Sequence, residues 1–306
     1  MNTTEPNMLP IRDAARATGV NPVTLRAWER RYGLVKPHRT AKGHRLYSAD
    51  QLQQIQQILT WLERGVAISQ VATLLHEQPE PSAPEPLLWQ HQIERFLFSL
   101  ARFDSRQLVS QYRELMSLYP SQLVCAQLFE PVLAELEQRS TSQYGNQLEK
   151  QFLQSWLHTC LASRLPNEQE QNQGPQLVLT NLSINSPEPR QSLLSLLLSS
   201  AGYSLVLLEG NLPASELTLL HERRPLAAIV LVGSHRMESI QLERELPKLS
   251  TQTDCQLFAA GPIIQMHSSE LSSSGIKLLS SSPAQSFEQL HKQLNGPHLV
   301  SQGAQL

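Results

Sequence analysis

The sequence predicts a multidomain fold. An N-terminal all-α, winged helix-turn-helix module spans 1–78, a central four-helix bundle 87–165, and a C-terminal α/β flavodoxin-like (Rossmann-like) parallel sheet 176–295. Three observations predict it. Basic residues concentrate near the amino terminus. Two Pro-rich or polar breaks, Pro79–Pro86 and Pro166–Pro175, divide the chain. The hydrophobic period is helical before the second break and alternates between strand and helix after it. A length of 306 residues allows two or three domains at roughly 100–200 residues each.

In the first segment, Ile11, Ala14, Ala15 and Thr18 recur at helical spacing, and Gly19 stops that helix. Asn21-Pro22 restarts one, because Asn caps helix N-termini and Pro suits the first helical position. Leu25, Trp28 and Tyr32 then share an apolar face, and Val23, Arg26 and Arg30 share the opposite one. Two short helices around a Gly turn, the second with a basic face, describe a helix-turn-helix. The segment from Gly33 to Tyr47 reads as a β-hairpin wing turning at Gly43, with Arg39, Lys42, His44 and Arg45 around the turn. Ser48 with Gln51 three residues on is a capping box opening a third helix, whose stripe is Leu52, Ile55, Leu59 and Leu62. Ile68, Val71 and Leu75 mark a fourth.

Charge separates this module from the rest. Residues 1–78 carry ten Lys/Arg against six Asp/Glu, a net +4, and the remainder carries a net -6. Between Pro22 and Tyr47 there are seven basic residues (Arg26, Arg30, Arg31, Lys36, Arg39, Lys42, Arg45) and Glu29 alone is acidic. The chain as a whole is only at -2, so attraction to a polyanion has to be local. The expected DNA-facing set is Asn21, Val23, Thr24, Arg26, Arg30, Arg31, Tyr32, Arg39, Lys42, His44, Arg45 and Tyr47. Val23, Thr24 and Arg26 are placed near base edges, Arg30 or Arg31 nearer phosphate, and the Tyr47 hydroxyl on phosphate.

Ile11 to Tyr47, notably Asn21 to Leu34 with Trp28-Glu29-Arg30-Arg31-Tyr32-Gly33-Leu34, then Pro37, Arg39 and Gly43 to Tyr47, resembles the winged helix-turn-helix of MerR-family transcription regulators of the MlrA/CarH-like type. The resemblance implies a homodimer on a promoter inverted repeat. It also implies a distorted spacer and action on RNA polymerase at that promoter.

The Pro79–Pro86 stretch reads as a stiff extended linker. Beyond it, four helical stripes suggest a bundle: Ile93, Phe96, Leu97 and Leu100; Leu108, Tyr112 and Leu115; Leu128, Val132 and Leu136; Leu148, Phe152, Cys160 and Leu161. In the last segment, strands are expected at 176–182, 204–208, 227–233, 257–260 and 276–279, with helices between, which gives a doubly wound parallel sheet.

A bundle followed by such a sheet resembles the cobalamin-binding module of CarH-type regulators and corrinoid methyltransferases. That family's Glu-x-His-x-x-Gly signature falls here on Glu188-Pro189-Arg190-Gln191-Ser192-Leu193. Arg190 stands where the cobalt-binding His belongs, and a guanidinium has no lone pair to give a metal. Leu193 replaces the glycine that admits the cofactor tail, and the bundle's Trp and Glu-His fall on Ser140 and on Lys150-Gln151. The expectation is a degenerate module with no cofactor, serving a small ligand, a protein partner or dimerisation. The alternatives are a cobalamin-dependent, light-responsive repressor and a corrinoid-linked enzyme module.

Other chemistry is thin. Cys125, Cys160 and Cys255 form no zinc or disulfide spacing, and the metal-sensing cysteines that the family resemblance would supply are missing. Gly233-Ser234-His235 has no third group to orient a nucleophile and base. No phosphate loop or hydrolase elbow occurs, so no enzyme is expected. The longest apolar stretch, Leu193 to Leu208, is interrupted by Ser199 to Ser204, and the amino terminus lacks a signal-peptide pattern. A cytoplasmic protein without membrane association is the expectation.

Overall fold

The computed structural model describes residues 8–77, 87–139, 144–182, 188–210, 212–238 and 240–294. The chain divides into two compact units, Met1–Ser140 and Thr141–Leu306. The linker expected at 79–86 lies outside the described residues.

The first unit begins with β1 (Leu9–Pro10), α1 (Ile11–Thr18) and α2 (Pro22–Ala27), and α2 continues as a π turn over Trp28–Tyr32. Gly19, in the left-handed conformation, returns its N–H to the Ala15 carbonyl and ends α1. The Asn21 side chain accepts the Val23 N–H at 2.6 Å and starts α2. β2 (His38–Arg39) and β3 (Arg45–Tyr47) make the antiparallel wing. β1 also pairs with β3, a third strand that two residues beside a proline could not announce in sequence. The Ser48–Gln51 capping box opens α3 (Ala49–Glu63), which buries Ile55, Ile58 and Leu62, while Leu52 and Leu59 are only half-buried. α4 (Ile68–Glu77) follows.

Next come α5 (Leu87–Ala101), α6 (Ser105–Leu118), α7 (Ser121–Val124) and α8 (Glu130–Gln138), with α7 joined to α8 through a π turn over Cys125–Phe129. Phe96 meets Phe129 edge-on, 5.7 Å between centroids, and Leu100, Leu108, Leu128, Val132 and Leu136 are buried around them as their spacing predicts.

The second unit opens with α9 (Asn146–Gln169), the helix read as the fourth bundle member. Its buried residues are Leu153, Trp156, Leu157 and Leu161, and Leu148 is exposed, so the expected stripe starts on the wrong face. The helix also runs through Pro166 to Gln169, beyond the break expected at 166. Arg164 pairs with Glu168, and Gln169 and Asn172 bond the chain at 199–205, which holds the last turn against the sheet domain.

The sheet comprises β4 (Gln176–Asn181), β5 (Ser204–Leu208), β6 (Ala228–Val232), β7 (Gln256–Ala260) and β8 (Lys277–Leu278). All pairs are parallel, in the order β5-β4-β6-β7-β8. The helices are α10 (Pro189–Ser200), α11 (Ala214–Arg223), α12 (Leu246–Gln252), α13 (Ile263–Met266), α14 (Ser268–Ser273) and α15 (Pro283–Leu294). One apolar layer joins α10 and α15 to Leu177, Leu179, Val230 and Phe258. The other joins α11, α12 and α14 to Val178, Ile229, Leu231 and Ala259. Alternate residues of each strand feed opposite layers, so the central strands β4, β6 and β7 are mostly apolar. Gly261, at φ +94°, turns the chain after β7 where an added Cβ would lie 2.5 Å from the Gly233 carbonyl oxygen.

Candidate nucleic-acid interface

On α2 and its π turn, Leu25, Ala27 and Trp28 face the core, and Val23, Arg26, Arg30 and Arg31 are exposed. The Trp28 indole N–H donates to the Leu118 carbonyl at 2.8 Å, at the carboxyl end of α6. That bond and the closing Gly33 fix the orientation of the exposed face.

The wing carries Arg39, Lys42 and His44 at the surface around Gly43, which takes φ +81°. Thr40 braces the turn with both backbone groups, accepting from Gly43 N–H and donating to the His44 carbonyl, and its side-chain oxygen accepts the His44 N–H. Gln51 and Gln54 of α3 donate to the carbonyls of Lys36 and Leu34 and hold the segment between recognition helix and wing.

Glu29, the lone acid in this stretch, accepts from Arg39 Nη2 at 2.7 Å and Arg45 Nε at 2.5 Å, with its own side chain 17% exposed. Partial burial raises its pKa, but the two guanidinium groups outweigh that and hold the carboxyl below its ordinary range. Glu29 is thus a clamp between helix and wing. Sequence marked it as an isolated acid among seven bases, which was the available signal.

Two members of the expected DNA-facing set are corrected by their burial. Thr24 is 0% exposed, its hydroxyl turned to the Met116 carbonyl of α6 at 3.4 Å. Periodicity on one helix could not show that α6 covers this position. Tyr47 is 1% exposed, and its hydroxyl has no hydrogen-bond partner among the described residues. Burial pushes that hydroxyl's pKa up, with the Glu29 charge adding to it. As an inward-facing residue of β3 it belongs to the core. Arg45 is largely committed to Glu29, and Asn21 to capping α2.

In the second unit, Glu188, Arg190 and Leu193, which align with the cobalamin signature, lie at the start of α10, the helix that follows β4, and Ser234 follows β6; doubly wound sheets take ligands beyond the carboxyl ends of their strands. The buried Glu188 carboxylate accepts from the Ser234 hydroxyl at 2.9 Å and the Arg190 N–H at 3.3 Å, and Arg190 Nη1 donates to Ser234 Oγ at 3.1 Å. Leu193 is buried in α10, filling the space a glycine would leave. These residues do not fit cobalamin: the position that aligns with the cobalt-binding His holds a permanent cation paired with Glu188 and Ser234. Lys150 is half-buried and Gln151 exposed, and Ser140 lies outside the described residues.

Among the described residues there is no cluster of His, Cys, Asp and Glu arranged to hold a metal, and no helix is long and apolar enough to cross a membrane. Cys125 is fully buried, and burial, with the nearby Glu130 charge, pushes the thiol well above its ordinary pKa and disfavours the thiolate.

Residues 9–78 match the family described as MerR HTH family regulatory protein. The HTH-type transcriptional regulator MlrA of Salmonella typhimurium is 36% identical over 154 residues, which is 50% of this chain and 62% of that protein. The HTH-type transcriptional repressor CarH of Myxococcus xanthus is 28% identical over 142 residues, 42% of this chain and 46% of that one. The chain therefore spans less than two thirds of the length of these relatives. In three dimensions it resembles the monomethylamine corrinoid protein of Methanosarcina barkeri, with TM-score 0.52 and 9% identity, over 67% of this chain and 99% of that one. At that identity the likeness is one of fold. Residues 9–78 are thus a MerR-type helix-turn-helix region, in a chain that also shares its fold with that corrinoid protein.

Proposed function

We propose that the protein is a sequence-specific DNA-binding transcription regulator that binds promoter inverted repeats as a homodimer, distorts the spacer and acts on RNA polymerase there. The observation that carries this reading is the exposed row Val23, Arg26, Arg30 and Arg31 beside the basic turn Arg39, Lys42 and His44, with Glu29 fixing one to the other. A helix placed in the major groove would present Val23 and Arg26 to base edges, while Arg30, Arg31 and the wing meet phosphates. The similarity of this half of the chain to proteins named as transcriptional regulators supports the same reading.

The second unit is assigned a sensory or oligomerisation role, with no catalysis. Arg190 argues against the alternative of a cobalamin-dependent repressor, because it supplies a charge where a metal requires a lone pair. It argues equally against a corrinoid methyl carrier.

The test is selection of duplexes from a random pool by the full chain, followed by footprinting. Enriched inverted repeats with two protected half-sites one helical turn apart are expected. A pool that stays unenriched at physiological salt, with binding that depends on length alone, would leave only non-specific phosphate contact.

A further inference from the structure

On the sheet face covered by α11 and α12, the carboxyl ends of β4 and β6 open into a cavity of about 240 Å3. We propose that this cavity binds a small, neutral, largely apolar molecule with one hydroxyl-type head, and that Thr180 receives that head. The site lies on the opposite sheet face from α10 and α15.

Three observations carry the proposal. The first is Thr180. Alternation along β4 sends Val178 and Thr180 to this face and Leu177 and Leu179 to the other. Thr180 is 1% exposed, yet its hydroxyl forms no hydrogen bond among the described residues. Its neighbours in this layer, Val178, Ile229, Leu231 and Ala259, are apolar, so Thr180 brings the sheet's polar group to the cavity. A hydroxyl that opens onto a cavity and has no protein partner among the described residues fits a ligand partner.

The second is the lining. Leu217, Leu231, Met237, Leu246 and Leu249 supply the walls, and Ile240 stands at the mouth 58% exposed. An apolar molecule in the cavity would cover Ile240. The third is charge. Glu238 and Glu245 are the ionisable residues of the lining, and Glu245 is fixed by accepting the Ala214 N–H at the start of α11 at 2.8 Å. Two carboxylates at an apolar cavity repel an anion.

Size follows from volume. A cavity of about 150 Å3 accepts benzene, roughly 25 Å3 per heavy atom, so this one holds about ten. A single aromatic ring with a short hydroxylated arm, or a branched alcohol of equal size, matches.

The experiment titrates the full chain with 2-phenylethanol and, separately, with phenylacetate, following saturation transfer and thermal shift. The alcohol is expected to bind with a Kd of about 1 mM or tighter, a modest efficiency for nine heavy atoms, and at least tenfold more tightly than the acid. Thr180→Val should weaken the alcohol about 5–10-fold while the ligand-free melting temperature stays nearly unchanged, because the hydroxyl has no protein partner among the described residues to lose. Leu217→Trp, which fills the cavity, should abolish binding. The proposal is overturned if the alcohol shows no binding at 10 mM, if the acid binds equally well, or if Thr180→Val leaves alcohol affinity intact.

Discussion

Glu29→Gln removes the charge that joins the recognition helix to the wing while keeping the side chain's shape. The Arg45 arm of the clamp is 24% exposed on the arginine side, and a hydrogen bond to a charged group in such a setting contributes about 1.5 kcal/mol. The Arg39 arm is 48% exposed, and solvent screening reduces it to about 0.5 kcal/mol. Glutamine retains one acceptor, so the net loss is about 1.5 kcal/mol. For a cooperative unit of about 140 residues that lowers the melting temperature by about 5 °C. The assay is calorimetry of wild type, Glu29→Gln, Arg45→Gln and the double variant at low salt, near pH 7.5. The cycle should return a coupling of about 1 kcal/mol. The pH dependence has a defined sign. The folded-state pKa of Glu29 lies below its ordinary 4.5, so the clamp's contribution is complete above that value and fades as pH falls through the folded pKa. The gap between wild type and Glu29→Gln should therefore close in acid. A melting temperature within 1 °C of wild type at neutral pH, with coupling under about 0.3 kcal/mol, would refute the clamp.

Trp28→Phe deletes the indole donor and leaves the Leu118 carbonyl short of its partner, so chemical denaturation should report a loss of about 1–2 kcal/mol in the first unit. Gly261→Ala forces a Cβ to 2.5 Å from the Gly233 oxygen at a left-handed φ of +94°; the urea midpoint of the second unit should fall by the equivalent of about 3 kcal/mol, and an unchanged midpoint would contradict the tight crossing of these loops. Protein mixed with adenosylcobalamin and desalted should carry no visible absorbance, whereas retained colour would overturn the reading of Arg190.

What sequence revealed depended on whether the signal was local. Asn21-Pro22, the Ser48–Gln51 box and Gly43 are local, and each lies where its chemistry places it. The central strands β4, β6 and β7 were legible because parallel strands buried on both faces are nearly continuous apolar runs. The failures required long-range contacts. Thr24 looks like a groove-facing residue until α6 covers it, 92 positions away in sequence. The stripe on α9 was assigned from Leu148, which is exposed, because a helix with apolar residues on several sides does not state which side meets the core. The Glu188–Arg190–Ser234 network joins residues 46 positions apart, and only its Arg190 was legible, as a misfit for a metal ligand.

The central claim is that the exposed face of α2 and its π turn reads DNA. It is tested most directly by measuring affinity for a selected inverted-repeat duplex and for an unrelated duplex across a salt series, with wild type and Arg26→Ala. Arg26→Ala is expected to weaken the selected duplex by about 1–3 kcal/mol and to narrow its advantage over the unrelated one. Equal affinity of wild type and variant for both duplexes at every salt concentration would contradict it.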